Sequence, residues 1–250
     1  MEPEQYEVMF RREDHHWWYS GMRRVALAVL GRELEWSPEA RVLDAGCGTG
    51  GTTVRLGQFG TVFGIDYAWE ALTRASTRGL FGKLARASVE RLPFADRAFD
   101  AVTSFEVLYH GGVVSDSQAL AEFHRVLRPN GVLLLRLPGH DWLRGQHDAL
   151  VHTRHRYTRR EVGAKLRQAG FSIQQLSWAN SLLFLPAMAK RLLEKAGSED
   201  EHPNGSQPDL WQPPEPINQL LESCVSAEAA ALRRGGRLPF GLSVLAVARA

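Results

Sequence analysis

Asp44, Gly46, Gly48, Gly50 and Gly51 stand close together in the chain, and Asp66 follows 20 residues after Gly46. Glycines at this spacing let a backbone approach a ligand closely, because no Cβ stands in the way. A carboxylate at that distance downstream can accept hydrogen bonds from both hydroxyls of a ribose. The chemistry implied is the seating of a nucleotide-like ligand. Such a seat needs a strand that delivers the turn and a helix that leaves it. Val42 and Leu43 read as a short buried strand, and Thr52-Thr-Val-Arg-Leu56 reads as the first turns of a helix. Thr61-Val-Phe-Gly-Ile65 reads as the next strand, ending at Asp66. Strand, glycine turn and helix make the nucleotide-binding arrangement of an open α/β sheet, with the ligand at the carboxyl end of the first strand. Gly46, Gly48 and Gly51 also satisfy the dinucleotide fingerprint G-x-G-x-x-G, so the glycines leave two cofactor classes open.

Composition narrows the surroundings. A chain of 250 residues with 44% apolar residues is long enough for one α/β domain with a packed core. Thirty Lys and Arg against 28 Asp and Glu give a net charge of +2, which makes no electrostatic case for a nucleic-acid protein. Cys47 and Cys224 are too few for a disulfide framework and suit a reducing compartment. The start, Met1-Glu-Pro-Glu-Gln-Tyr-Glu7, has no apolar run like that of a signal peptide. The longest apolar stretch, Leu182 to Ala189, contains Pro186 and is far too short to span a bilayer. These features predict a cytoplasmic protein without an integral membrane segment, monomeric or homodimeric.

Residues 1–34 read as helical, with a dense aromatic cluster, His15-His16-Trp17-Trp18-Tyr19. Either the two tryptophans pack this segment onto the domain, or the segment is a lid over the ligand site. A helix is expected from Ala68 to Leu80 and a short third strand over Gly82–Ala87. A fourth strand ends at Phe105, and Glu106-Val-Leu-Tyr-His110 opens onto the same carboxyl edge. Ser115-Asp-Ser-Gln118 is a capping box whose helix stops at Arg128-Pro-Asn-Gly131. Val132 to Leu137 is a near-continuous apolar run, as a central strand should be. Between 138 and 157 lie His140, His147, His152 and His155 among Asp141, Asp148 and Trp142. Their spacings match no common metal-ligand pattern, so no metal is expected. The stretch is either a solvated loop or an acceptor-facing loop carrying a general base. A second capping box, Thr158-Arg-Arg-Glu161, starts a helix that ends at Gly170. Further elements are a sixth strand over Phe171–Ser177, an amphipathic helix over Asn180–Lys195 and a polar loop over Gly197–Asp209. A helix over Ile217–Arg234 and a last strand over Phe240–Ala248 complete the chain.

The run Asp44 to Gly50 resembles the D-x-G-x-G-x-G of class I methyltransferases that use S-adenosylmethionine. Leu92-Pro93-Phe94 and Phe99-Asp100 extend the resemblance to the small-molecule branch of that family, as does Arg125-Val-Leu-Arg-Pro-Asn-Gly131. It covers residues 38–137 and departs at Ser88, where the family usually has an acidic residue facing the adenine amino group. The resemblance implies a seven-stranded, mostly parallel doubly wound sheet, order 3-2-1-4-5-7-6, with the last strand antiparallel. It implies one domain over 1–250: a helical lid over 1–34, a cofactor-binding core over 38–137, and acceptor-side loop, helices and two strands over 138–250. The helices between 178 and 236 would roof the acceptor site with the lid and the 138–157 loop.

The cofactor-binding residues so implied are Asp44, Gly46, Cys47, Gly48, Gly50, Asp66, Tyr67, Ser88, Val89 and Phe105. Arg23 or Arg24 is a candidate partner of the methionyl carboxylate. The implied reaction is an in-line displacement in which a small-molecule acceptor, through oxygen or nitrogen, takes the sulfonium methyl and S-adenosylhomocysteine leaves. Because the methyl is already activated, the protein mainly aligns the acceptor and excludes water. An oxygen acceptor also needs a base, for which His110 and His147 are the candidates, with His15 and His16 behind them. A dinucleotide-dependent oxidoreductase and a non-catalytic S-adenosylmethionine-binding protein are the rival readings.

Overall fold

A computed structural model of the protein describes residues 3–145, 148, 151–182, 184, 188–189 and 213–250. The chain opens with helices α1 (Pro3–Arg12) and α2 (Trp17–Glu33). It then alternates β1 (Arg41–Ala45), α3 (Gly51–Leu56), β2 (Thr61–Asp66), α4 (Trp69–Ala75), β3 (Leu84–Arg86) and β4 (Phe99–Phe105). Next come α5 (Asp116–Val126), β5 (Leu127–Pro138), α6 (Arg159–Gln168), β6 (Ser172–Ala179), α7 (Glu215–Arg233) and β7 (Ser243–Arg249). The seven strands form one sheet in the order β3-β2-β1-β4-β5-β7-β6. β1 pairs in parallel with β2 and β4, and β7 runs antiparallel to β5 and β6. The expected architecture is therefore the one observed.

Alternation along the strands builds two cores, one on each face of the sheet. Leu43, Val102 and Leu133 pack on one side with Phe99, Phe123, Tyr157 and Leu166. Their neighbours Val42, Ala101 and Leu134 pack on the other with Val25, Val29, Leu30, Val225 and Leu232. Consecutive strand residues point to opposite faces, so a sheet covered by helices on both sides needs apolar residues at every position. The second core joins α2 to α7, which lies between β6 and β7 in sequence.

Each capping box forms its N-cap half, while the Ser115 amide is taken by Glu90 and the Glu161 carboxylate by His155. Ser115 accepts a hydrogen bond from the Gln118 amide at 3.1 Å, and Thr158 from the Glu161 amide at 3.2 Å. Three boundaries differ. The helix expected over 68–80 is α-helical only to Ala75, then widens over Ser76–Leu80 and ends at Gly79 with φ of +80°. Arg128–Gly131 is not a gap before the fifth strand but part of it. Leu127 pairs with Phe99 and Val132 with Ala101, so the residues between bulge outward while the pairing continues. The last strand begins at Ser243, not Phe240, because Ser243 is the first residue paired with Pro138 and Ala179. The helix expected over 180–195 and the loop over 197–209 lie largely outside the described residues.

The Leu-Pro-Phe and Phe-Asp segments prove to be sheet fasteners. Arg125 of α5 donates to the carbonyls of Leu92 and Phe94, at 3.1 and 2.8 Å. Asp100 accepts from the Arg41 amide at 2.8 Å, fixing the start of β1 against β4. Phe123 sits between α5 and this layer with 0% exposure. Its replacement by alanine should lower the unfolding free energy by about 3–5 kcal/mol, measured by urea titration.

Candidate functional site

The carboxyl ends of β1, β2, β4 and β5 converge on one cavity of about 830 Å³, covered by α1 and the start of α2. Its floor is the turn after β1. Gly46, Gly48 and Gly50 all have positive φ, at +88°, +54° and +86°. At Gly46 an added Cβ would lie 2.2 Å from Val107 Cγ2, so the turn has no room for a side chain. Asp66, at the end of β2, ties this turn to α4. Its Oδ2 accepts from the Gly48 amide and its Oδ1 from the Ala68 amide, each at 2.9 Å.

Asp44 is 2% exposed and held by two hydroxyls. Thr53 Oγ1 donates to Oδ2 at 2.7 Å and Thr103 Oγ1 to Oδ1 at 2.8 Å. Burial pushes its carboxyl up to about 6 against the pull of those hydroxyls, and the Asp66 charge adds to the rise. Burial likewise raises Asp66, opposed by its backbone amides.

The roof is clasped to the floor by arginine. Arg78 donates to the Thr49 carbonyl at 3.0 Å, to Asp14 at 2.8 Å and to Glu13 at 2.9 Å, and its guanidinium lies 4.6 Å from the Phe10 ring centre. Arg74 pairs with Glu7 of α1 at 2.8 Å. Glu13 also accepts from Thr49, which brings the α1–α2 corner directly onto the glycine turn.

The cavity also holds two arginines, each engaged by an acid. Arg136 Nε donates to Glu106 Oε1 at 2.9 Å, and the guanidinium lies 5.6 Å from the Trp18 ring centre and 5.2 Å from that of Phe105. Arg156 Nε and Nη2 reach Asp148 at 2.8 and 3.1 Å, and Nη1 reaches the Gly139 carbonyl at 3.1 Å. Glu106 has φ of +56°, a left-handed conformation costly for a residue with a Cβ.

Of the residues expected at the site, Asp44, Gly46, Cys47, Gly48, Asp66, Tyr67, Ser88, Val89, Phe105 and His110 all line this cavity. Two expected cofactor residues do not. Gly50 instead meets Ala75 and Leu80, and its role is to start α3. Arg23 donates to the Glu13 carbonyl at 3.0 Å and faces a separate groove shared with Arg24, Arg55 and Arg233. It is therefore turned away from the cavity. His16 lines the cavity with Trp17 and Trp18, whereas His15 does not. His147 lies outside the described residues. Among the described residues no group of three or more His, Cys, Asp or Glu is placed to hold a metal, and no helix is long and apolar enough to cross a membrane.

His110 is a weak base in this setting. Its Nδ1 accepts from the Gly112 amide at 3.0 Å. Burial pushes the imidazole down to about 4, and the neighbouring His152 adds to that. Arg136 was missed in the sequence as a site residue, while Glu106 reads there only as the start of the stretch that opens onto the carboxyl edge and Arg156 only as part of a basic run before α6. A signal for Arg136 was present: a lone charge inside the apolar run Val132–Leu137, where charges are rarely buried unless paired.

A mostly parallel sheet of this order, with a glycine turn and an acid at the ends of its first two strands, defines a class I S-adenosylmethionine-dependent methyltransferase. Comparison with known proteins agrees. A family model described as "Methyltransferase domain" matches residues 43–135. An uncharacterized methyltransferase of Synechocystis sp. is 30% identical over 197 residues, 70% of this chain and 92% of that protein. Malonyl-[acyl-carrier protein] O-methyltransferase 1 of Coxiella burnetii is 31% identical over 166 residues, 62% of this chain and 56% of that one. A chain from the complex of the Haloferax volcanii Trm112 methyltransferase activator with a putative methyltransferase superimposes with a TM-score of 0.61 at 20% identity, covering 99% of this chain and 93% of that one. The chain belongs to the S-adenosylmethionine-dependent methyltransferases, and it is an enzyme with S-adenosylmethionine as its cofactor.

The raised Asp44 gives a stability test. The folded protein keeps this proton up to about pH 6, whereas an ordinary aspartate releases it near 3.8. The stabilisation is complete below the ordinary value and is lost as pH rises through about 6. At pH 8 the buried charge then costs on the order of 3 kcal/mol. Asp44→Asn should therefore resist urea better than wild type at pH 8 and lose that advantage at pH 4.

Proposed function

We propose that the protein transfers the methyl group of S-adenosylmethionine to the oxygen or nitrogen of a small-molecule acceptor. The observation that carries this reading is the shared cavity. The glycine turn and Asp66 line it together with aromatic and charged side chains and residues of α1 and α2. At about 830 Å³ it lies toward the upper end of small-molecule sites. When bound there, the cofactor supplies a methyl already activated by a positive sulfur.

The chain's own residues then do three things. Asp66 would hold the ribose diol, and Ser88 and Val89 would border the adenine. Asp44 and the glycine turn would face the methionyl end, where a carboxylate favours the cofactor's positive charge. The α1–α2 segment would act as the lid, held shut by Arg74 and Arg78, and would exclude water from the transfer. α7, expected in the roof, does not line the cavity. It supports the roof from behind through Asn218, which accepts from the Trp17 amide at 3.0 Å. Cytoplasmic location fits the two cysteines, both free thiols.

Two measurements test this reading. Incubation with radiolabelled S-adenosylmethionine and a metabolite extract should yield a labelled small molecule, and calorimetry should show binding of S-adenosylhomocysteine but not of NAD. Asp66→Ala should weaken S-adenosylhomocysteine by about 2–4 kcal/mol, the worth of two charge-assisted hydrogen bonds partly replaced by water. Unchanged affinity in a folded variant would remove Asp66 from the ribose site.

A further inference from the structure

The geometry points to Glu106 as the group that receives the proton of the methyl acceptor, and to an aromatic hydroxyl as the acceptor it serves. This rests on the methyltransferase reading of the same cavity and extends it to the acceptor side.

Glu106 follows β4 directly and lines the cavity next to Phe105 and Val107, the residue packed against the glycine turn. Its side chain is 18% exposed. Arg136 holds Oε1, while Oε2 accepts no hydrogen bond among the described residues. Of the other acids lining the cavity, Glu13 is held through Oε1 by Thr49 and Arg78 at the α1–α2 corner, against Gly51 of the glycine turn. Asp44 has both oxygens taken by hydroxyls, Asp66 both by amides, and Asp148 both by Arg156. Glu106 therefore presents a fixed carboxylate with one oxygen to spare. Its left-handed backbone, φ of +56°, is the kind of local strain that persists where surrounding structure enforces a functional placement.

The arm that fixes it is rigid. Arg136 projects from the central strand β5, lies between the rings of Trp18 and Phe105, and is 6% exposed. The charged and titratable groups facing Glu106 are Arg136 from β5, Arg156 from the segment before α6, and Tyr109 from the turn after β4. Burial raises the Glu106 carboxyl, and the two arginines pull against that rise. A base so placed is stronger than an ordinary carboxylate yet still too weak for an aliphatic alcohol. It suits an acidic hydroxyl, that of a phenol. The walls agree: Trp17, Trp18, Phe105 and Tyr109 line the same cavity. Both guanidinium groups already have carboxylate partners, so the pocket asks for no acid on the acceptor.

The step balances without further reagents. The acceptor oxygen attacks the methyl carbon, the O–C bond forms as the C–S bond breaks, and S-adenosylhomocysteine leaves with the electron pair. The hydroxyl proton passes to Glu106 Oε2 and from there to solvent as the product departs.

The test uses 4-methoxyphenol as the acceptor, whose own hydroxyl stays protonated across the range, with release of S-adenosylhomocysteine followed from pH 5.5 to 8. In the wild type kcat should rise with pH through a single ionisation, because the ionised carboxylate is the active form. Glu106→Gln should fall about 100-fold in kcat, the usual worth of a positioned base, and should lose that rising limb. Glu106→Asp should keep the limb at a reduced rate. S-adenosylhomocysteine affinity by calorimetry should stay within about threefold in Glu106→Gln, which also shows that the variant is folded. A Gln variant with the wild-type rate or the wild-type pH profile would overturn the assignment. So would a wild type that binds S-adenosylhomocysteine at full strength yet turns over no phenol. A wild type that binds neither S-adenosylmethionine nor its product would instead overturn the methyltransferase reading on which this one rests.

Discussion

The structure depends on how closely one backbone turn can approach its surroundings. Between β1 and α3 the chain reverses over a few residues with Val107 on one side and the cavity on the other, and Gly46 has no space for even a methyl group. Because the turn is this tight, its amides are presented to the cavity instead of being shielded by side chains. Asp66 can then take the Gly48 amide and join the ends of two strands. Asp100 fixes the other end of β1, and the helix after the turn packs beneath the lid. Register in the sheet, position of the lid and shape of the cavity all follow from this one approach.

Charge in the cavity is arranged in pairs, and the pairs do different work. Isolated buried ions are costly, so the arginines on the acceptor side carry carboxylate partners and extra carbonyl contacts. Asp44 and Asp66 have no arginine. They are held by hydroxyls and amides, which leaves their negative charge uncompensated and their carboxyls raised. The part of the cavity around Asp44 and Asp66 is thus prepared for a cation, whereas the part around Arg136 and Arg156 is internally neutralised.

Much of the fold was legible because its signals are local. Glycine spacing, the Asp66 carboxylate, two capping boxes and the apolar fifth strand are each contained in a few neighbouring residues. Strand order followed from family resemblance, not from local pattern. What escaped was long-range. Arg78 reads as an ordinary basic residue in a helix, and nothing nearby shows that it will meet Glu13 and Asp14. Arg23 looked like a carboxylate ligand because it sits in an aromatic-rich helix, but the rotation of α2 turns it to the other groove. The histidines drew attention by residue type. Burial lowers His110, and its Nδ1 is spent on the Gly112 amide. The strain at Glu106 is invisible in sequence, since a left-handed glutamate has no compositional mark.

The joining of α2 to α7 has a consequence for biosynthesis. Trp17 is held by Asn218, 201 residues later, and the core beneath α2 is completed by Val225 and Leu232. On the ribosome the α2 segment emerges well before its partners, at roughly 5–20 residues per second, so about 10–40 s pass before α7 is synthesised. During that interval its apolar stripe and two tryptophans have no helical partner to cover them. That face of α2 therefore stays without its α7 contacts until α7 is made, and the same contact holds Trp17 at the rim of the cavity.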